Sequence, residues 1–390
     1  MVSPGVMALD GAERADLARL RHERTNRVFE AMDRDEVDVL VLGREGNARY
    51  ASGLQRLPVA VARPFIPSAV LVREARATHA LSGWDFVTAP EISPEQQYPT
   101  HWDPAAVAKA IGRIDGVPGA RRVALDSVSP QWRERLSSLC KAAGFVDAGP
   151  LMRAVRMVKT EDEVFCIRTA VAIAEAGLVA ASAILGPGRR ERELLGAFVE
   201  RMSEFGLTVP ASEGGFCTVE TEWIANHGLR RITGDRTLRE GDLVTLNGGV
   251  LFSGYEGRVG RTVGCGAQHR LSDKTLQTLT AQWAKLWGHL YSVLGPGATG
   301  ADLCRAYRSS GSELPRFPIA TSVGLGIEAP IAGSGLGDTF DEQWTLSPGM
   351  VLQVQGLVTI ADNGYFGLET VLITDGGPEM LTTLRHGAEL

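Results

Sequence analysis

A handful of side chains in the C-terminal half are of types that do chemistry. His227 stands in the loop-like segment from Trp223 to Gly228, and a neutral imidazole can act as general acid or base near pH 7. Arg258 and Arg261 follow on one arm of residues 241–263, and Glu369 stands 108 residues after Arg261. A guanidinium facing a carboxylate is either a structural ion pair or a device for binding a substrate carboxylate or an oxyanion. Glu328 is a further candidate acid. A phosphate loop, a Gly-x-Ser-x-Gly elbow and a nucleophilic cysteine motif are all absent.

The pattern around these residues predicts how they are held. Leu243, Val244 and Leu246 lead to Asn247, a glycine-containing turn follows, and a second run carries Arg258 and Arg261, which predicts a β-hairpin. The hairpin recurs. Leu238, Gly241 and Val244 match Leu346, Gly349 and Leu352 at a separation of 108 residues. The same step takes Asn247 to Gln355, Arg261 to Glu369 and Thr262 to Thr370. Upstream, Gly186-Pro187-Gly188 recurs as Gly295-Pro296-Gly297, 109 residues on. This period is too long for a solenoid. It predicts two halves of helix, turn, helix and hairpin about an approximate two-fold axis, with polar residues of both hairpins lining one site. Asn247 and Gln355 are then expected on adjacent central strands facing one cavity, with Arg258 in contact with Glu369, directly or through one water or ligand.

At 390 residues the chain is long for one core and suits two domains. Its apolar and charged fractions are those of an ordinary globular protein. A net charge of −6 argues against nucleic acid as the main partner. The first residues lack the apolar core of a secretory signal, and no stretch is read as a membrane span. Five cysteines, odd in number and never spaced Cys-x-x-Cys, argue against a disulfide framework or a zinc ribbon, so the expected compartment is the cytoplasm. Residues 37–42, 68–72 and 122–126 are expected strands, and 12–32, 104–114 and 130–143 are expected helices, giving an α/β N-terminal domain. The polar stretch 91–102 reads as a lid or, more simply, as a surface loop. Residues 151–160 change in character, which puts the boundary between domains 1–155 and 156–390 there. The long helical run beyond opens on Thr160 and Glu163 at capping-box spacing.

Several segments resemble the creatinase/prolidase/methionine aminopeptidase family, whose catalytic domain has the pita-bread fold. Arg156-x-x-Lys159-Thr160-x-x-Glu163 resembles the start of that domain. Gly186-Pro187-Gly188 resembles its Pro-Gly turn, and residues 236–244 and 346–351 resemble the leads into its two hairpins. Residues 37–42 with Asn47, Tyr50, Ser52 and Gly53 resemble the N-terminal domain of creatinase and the proline peptidases. The implied architecture is a pita-bread domain with an internal pseudo-two-fold repeat, mixed α/β in class, preceded by a smaller creatinase-type α/β domain.

At the site the chain departs from the family. Metallopeptidase members hold two metal ions with two Asp, one His and two Glu. The matching positions here read Asn247, Arg258, Thr321, Gln355 and Glu369. One carboxylate beside a guanidinium cannot offset the desolvation of two divalent ions, so no metal and no other cofactor is expected. Creatinase is the family precedent for metal-free chemistry, and His227 in Ala225-Asn226-His227-Gly228 is the match to its catalytic His. The resemblance thus implies a metal-independent hydrolase or lyase that cleaves a C–N bond in a small, polar, carboxylate-bearing substrate. His227, Glu369 and Glu328 would be the catalytic candidates. Asn247, Arg258, Gln355, Arg261, Tyr255 and Thr321 would line the substrate site. Arg63 and Phe65 lie where creatinase-like homodimers reach a neighbour's pocket. A non-catalytic pita-bread binding module and an Xaa-Pro peptidase are the alternatives.

Overall fold

The computed structural model describes residues 16–54, 67–81, 91–98, 103–126, 129–207, 215–219, 233–266, 274–333, 341–361 and 363–386. They divide into two compact units, Asp16–Arg156 and one beginning at Met157.

The first unit opens with α1 (Leu17–Arg34), capped by Asp16, whose carboxylate accepts from the Ala18 and Arg19 amides. Its sheet runs β4-β3-β2-β1-β5-β6, with β1 (Val39–Leu42), β2 (Ala69–Val72), β3 (Ala77–Leu81), β4 (Gln97–Tyr98), β5 (Arg122–Asp126) and β6 (Gly144–Asp147). The uninterrupted apolar runs of β1 and β2 are buried at every residue, as a sheet covered on both faces requires. The helices are α2 (Glu45–Ser52), α3 (Pro104–Ile111), α4 (Pro130–Leu139) and α5 (Gly149–Met157). Within the stretch expected as a loop, Gln97–Tyr98 instead adds a short parallel strand to β3. The basic stretch after residue 151 lies largely in α5, where the Val155 carbonyl accepts from the Tyr50 hydroxyl.

The second unit is built on an eight-stranded sheet. Its strands are β7 (Gly215–Thr218), β8 (Leu243–Phe252), β9 (Tyr255–Gly264), β10 (Ala320–Gly324), β11 (Gly326–Ala332), β12 (Val351–Ile360), β13 (Asn363–Thr374) and β14 (Gly377–Met380). They run in the order β11-β10-β12-β13-β9-β8-β7, with β14 on β13. Helices α6 (Glu161–Ala183) and α7 (Glu191–Glu204) precede the first hairpin, and α8 (Lys274–Val293) and α9 (Gly300–Ser309) precede the second. The duplication is visible bond by bond. The Gly188 amide donates to the Leu238 carbonyl and the Gly297 amide to the Leu346 carbonyl, both at 2.9 Å. The bridge Arg190↔Thr237 is matched by Thr299↔Thr345. Gly188 and Gly297 take φ of 87° and 88°, a left-handed conformation within the turn that carries the chain from the first helix of each half to the second.

Alternation assigns every strand residue to one of two faces. A Cβ on Gly257 would lie 2.1 Å from the Val171 amide nitrogen of α6, and one on Gly367 2.4 Å from the Trp283 ring of α8. Odd-numbered positions of β9 and β13 therefore face the helices, and even-numbered ones face the inner side. α6 is also long and apolar enough, by length and composition, to cross a membrane, which the sequence reading overlooked. Its apolarity has a simpler cause here. It opens on the Thr160–Glu163 capping box, and its buried face, including Ile167, Val171, Ala174 and Leu178, lies against β8 and β9.

Candidate functional site

The two hairpins place four residues in one row. Asn247 on β8 is opposite Gly260 on β9, Gly260 is opposite Leu368 on β13, and Leu368 is opposite Gln355 on β12. Asn247 and Gln355 thus share the inner face as the repeat predicts. They are not on adjacent strands, however, because β9 and β13 form the seam between them. Arg258 is on the same face, opposite Gly249, and its Nε donates to Asn247 Oδ1 at 2.9 Å. Thr321 on β10 joins them through its partner Gln353, two residues before Gln355 and on the same side of β12. Gln355 is tethered: its Nε2 donates to the Pro318 carbonyl at 2.7 Å.

Other expected site residues face elsewhere. Glu369 is opposite Val354 and shares the helix face with Arg261. Its buried partners are the Arg261 guanidinium at 3.0 Å, the Thr382 hydroxyl and His386 Nε2. The expected contact with Arg258 is replaced by this one, and parity is the reason. Arg258 and Arg261 are three residues apart on one strand, so their side chains leave opposite faces. The 108-residue step that maps Arg261 onto Glu369 maps equivalent positions of the two hairpins, and those meet across the seam. Tyr255 also faces the helices and donates to Glu163 at 3.0 Å. Glu328 accepts from Ser322 at 3.1 Å and lies 3.4 Å from the fully buried Lys159 ammonium. Ser322 is one residue out of phase with Thr321, so Glu328 is engaged on the other side of β10. His227, Arg63 and Phe65 lie outside the described residues.

The helix-face cluster is closed by the C-terminal segment. Arg261 donates to the Leu384 carbonyl, and Glu175 of α6 accepts from the Thr383 and Leu384 amides. His386 Nδ1 is 2.9 Å from the Tyr365 hydroxyl, and its ring lies 4.9 Å from Trp283. Burial pushes the Glu369 pKa up. The His386 hydrogen bond, the Arg261 charge and the Thr382 hydroxyl together outweigh it and hold the carboxyl below its usual range. His386 is held below the usual imidazole value, first by burial and then by the Arg261 charge, against the opposing pull of Glu369.

Two residues of the inner face escaped the sequence reading. Gln353 is 2% exposed and Glu256, two residues before Arg258, is 1% exposed. The signal available was strand alternation: each stands two positions from a residue already singled out. The Arg258 bond fixes Asn247 Oδ1 as an acceptor, which leaves its buried Nδ2 a donor with no partner among the described residues. Gln353 Nε2 is likewise buried and without one. The inner face thus carries two buried amide donors and the Arg258 guanidinium, with the Glu256 carboxylate two residues away on the same strand. This set does not fit a dinuclear metal centre, which needs anionic or imidazole ligands converging on one point. The guanidinium is bonded to the residue at the first ligand position, and the one retained carboxylate is held on the opposite face. Among the described residues no group of three or more His, Cys, Asp or Glu could hold an ion.

Comparison with known proteins adds the lineage. Residues 24–158 match the Creatinase/Prolidase N-terminal domain, and residues 166–375 match Metallopeptidase family M24. Among curated relatives, the Xaa-Pro dipeptidase of Pyrococcus horikoshii is 23% identical over 367 residues, 93% of this chain and 97% of that protein. The creatinase of a Bacillus species is 24% identical over 301 residues, 73% of this chain and 71% of that one. The solved prolidase from Pyrococcus horikoshii superposes with a TM-score of 0.72 at 19% identity, covering 93% of this chain and 99% of the other. The X-Pro aminopeptidase from Thermotoga maritima gives 0.74 at 17%, covering 94% and 99%. At such identities the superpositions speak for the fold, a two-domain pita-bread architecture. With the matched segments spanning both units, the chain belongs to peptidase family M24 and carries the family's creatinase/prolidase N-terminal domain.

Proposed function

We propose that this chain is a metal-independent hydrolase or lyase of its family, cleaving a C–N bond in a small, polar substrate that bears a carboxylate. The observation that carries the reading is the Arg258–Asn247 hydrogen bond on the inner face, at two of the family's metal-ligand positions. A guanidinium there supplies the positive charge that metal ions supply elsewhere, and a planar fork of donors suits a carboxylate. In this reading His227 is the general base that takes a proton from attacking water and the acid that returns it to the leaving nitrogen. Asn247, Thr321 and Gln355 orient the substrate. Glu369 acts from the far face as a structural group.

The names of the relatives favour a second reading, an Xaa-Pro dipeptidase. One experiment separates the two. The purified full chain, treated with chelator, is assayed on creatine, N-carbamoyl amino acids and Xaa-Pro dipeptides, with and without added Mn²⁺ or Co²⁺. C–N cleavage that survives chelation and falls by a hundredfold or so in His227→Asn supports the first reading. Dipeptide cleavage that requires added metal supports the second. Binding of a carboxylate with no turnover would instead favour a non-catalytic binding module.

A further inference from the structure

The inner face carries a polar group that neither hydrogen bonding nor the roles above account for. Gln353 is 2% exposed, its Nε2 is fully buried, and that nitrogen has no partner among the described residues. A buried amide left unpaired destabilises the fold, and native proteins rarely keep one without a reason. Position supplies the reason. Gln353 is directly across from Thr321, on the same strand and face as Gln355, and in the register that carries Asn247 and Arg258. A second buried amide donor, Asn247 Nδ2, is unpartnered on that face. The two belong to corresponding hairpins, so the seam between β9 and β13 lies between them.

We infer that Gln353 is a specificity-determining substrate residue, whose carboxamide N–H binds an acceptor oxygen of a carboxylate-bearing ligand on the inner face. The inference rests on the inner-face reading of the site above and adds to it a residue and a direction of hydrogen bonding. An acceptor oxygen of such a ligand would give the buried Gln353 nitrogen the partner it lacks among the described residues. A neutral amide in place of the carboxylate would, at its nitrogen, present a donor to the Gln353 N–H. Such a mismatch leaves buried groups unpaired and is discriminated against strongly.

The test uses the full chain, native and as Gln353→Met and Arg258→Met. Creatine, sarcosine and glycylproline are each compared with the corresponding carboxamide, by calorimetric titration and by melting temperature. The native chain should bind at least one free carboxylate, with its amide at least about tenfold weaker. Gln353→Met should weaken that carboxylate by roughly 10- to 150-fold. The same substitution should raise the melting temperature of the ligand-free chain, since it replaces an unpaired buried amide by an apolar chain of similar length. Unchanged carboxylate affinity in Gln353→Met, or a ligand-free melting temperature that falls, would overturn the inference. If Arg258→Met abolishes binding while Gln353→Met leaves it intact, the inference fails and the proposed function stands. If no carboxylate binds the native chain, both fail together.

Discussion

Arg261→Met is the substitution whose cost the structure makes most explicit. Arg261 and Glu369 are 1% and 3% exposed, so their charges are hardly screened by solvent. The guanidinium also donates to the carbonyls of Gly260, Leu368 and Leu384, which ties β9, β13 and the C-terminal segment together. Removing it strands a buried carboxylate that keeps only Thr382 and His386, and the penalty for breaking such a pair is about 3–5 kcal/mol. In a unit of this size that corresponds to a fall in melting temperature of roughly 6–20 °C. The pair Arg261→Met with Glu369→Gln removes the stranded charge but not the lost carbonyl bonds, so it should recover part of the loss. A double-mutant cycle by urea unfolding should then give a coupling of roughly 0.5–3 kcal/mol. An Arg261→Met chain within about 0.5 kcal/mol of native, or strictly additive single changes, would refute the claim that this pair holds the seam.

Three further outcomes follow from neighbouring geometry. The His386 pKa is depressed in the fold, so below the ordinary imidazole value of 6.5 the unfolded chain binds more protons, and stability should fall as pH falls through that region. His386→Gln should flatten this part of the melting-temperature profile, and it should also lessen the loss below 4.5 that belongs to the Glu369 carboxyl, since the His386 hydrogen bond is the first of the influences that depress it. Gly257→Ala puts a methyl 2.1 Å from the backbone of α6, which cannot turn aside as a side chain can, and should cost about 3 kcal/mol, the upper end of the usual overpacking range, by urea unfolding. The Cys304 thiol is pushed up to about 11 by burial and by the Asp341 carboxylate, so it should resist iodoacetamide at pH 8 until the chain is unfolded, as mass spectrometry would report.

The repeat was legible because it is written in residues with fixed backbone duties. The paired Gly-Pro-Gly turns and the matching leads into the two hairpins recur in the hydrogen bonds of the structure. The composition of the inner face was legible too, from ligand positions that no longer carry ligands. Which arginine meets Glu369 was not. That depends on strand parity across the seam, and the 108-residue step pointed to Arg261 for a reader who trusted it over the ligand pattern. Gln353 and Glu256 stand at no motif position, and a polar residue on a strand declares itself only when both faces are known to be covered. The short strands β4, β7 and β14 lack a hydrophobic run long enough to stand out and exist because a longer neighbour offers them a free edge.

The central claim is that Arg258 stands in for metal charge on the inner face, and metal content tests it most directly. The full chain should be produced with Mn²⁺, Co²⁺, Zn²⁺ and Fe²⁺ present, dialysed without chelator, and measured by elemental mass spectrometry beside Arg258→Asp. The native chain should hold far less than one ion per chain. Arg258→Asp restores one carboxylate and removes the cation, and any uptake should appear there alone. One or two tightly held ions in the native chain, lost on removal of the site's remaining donors, would contradict the account.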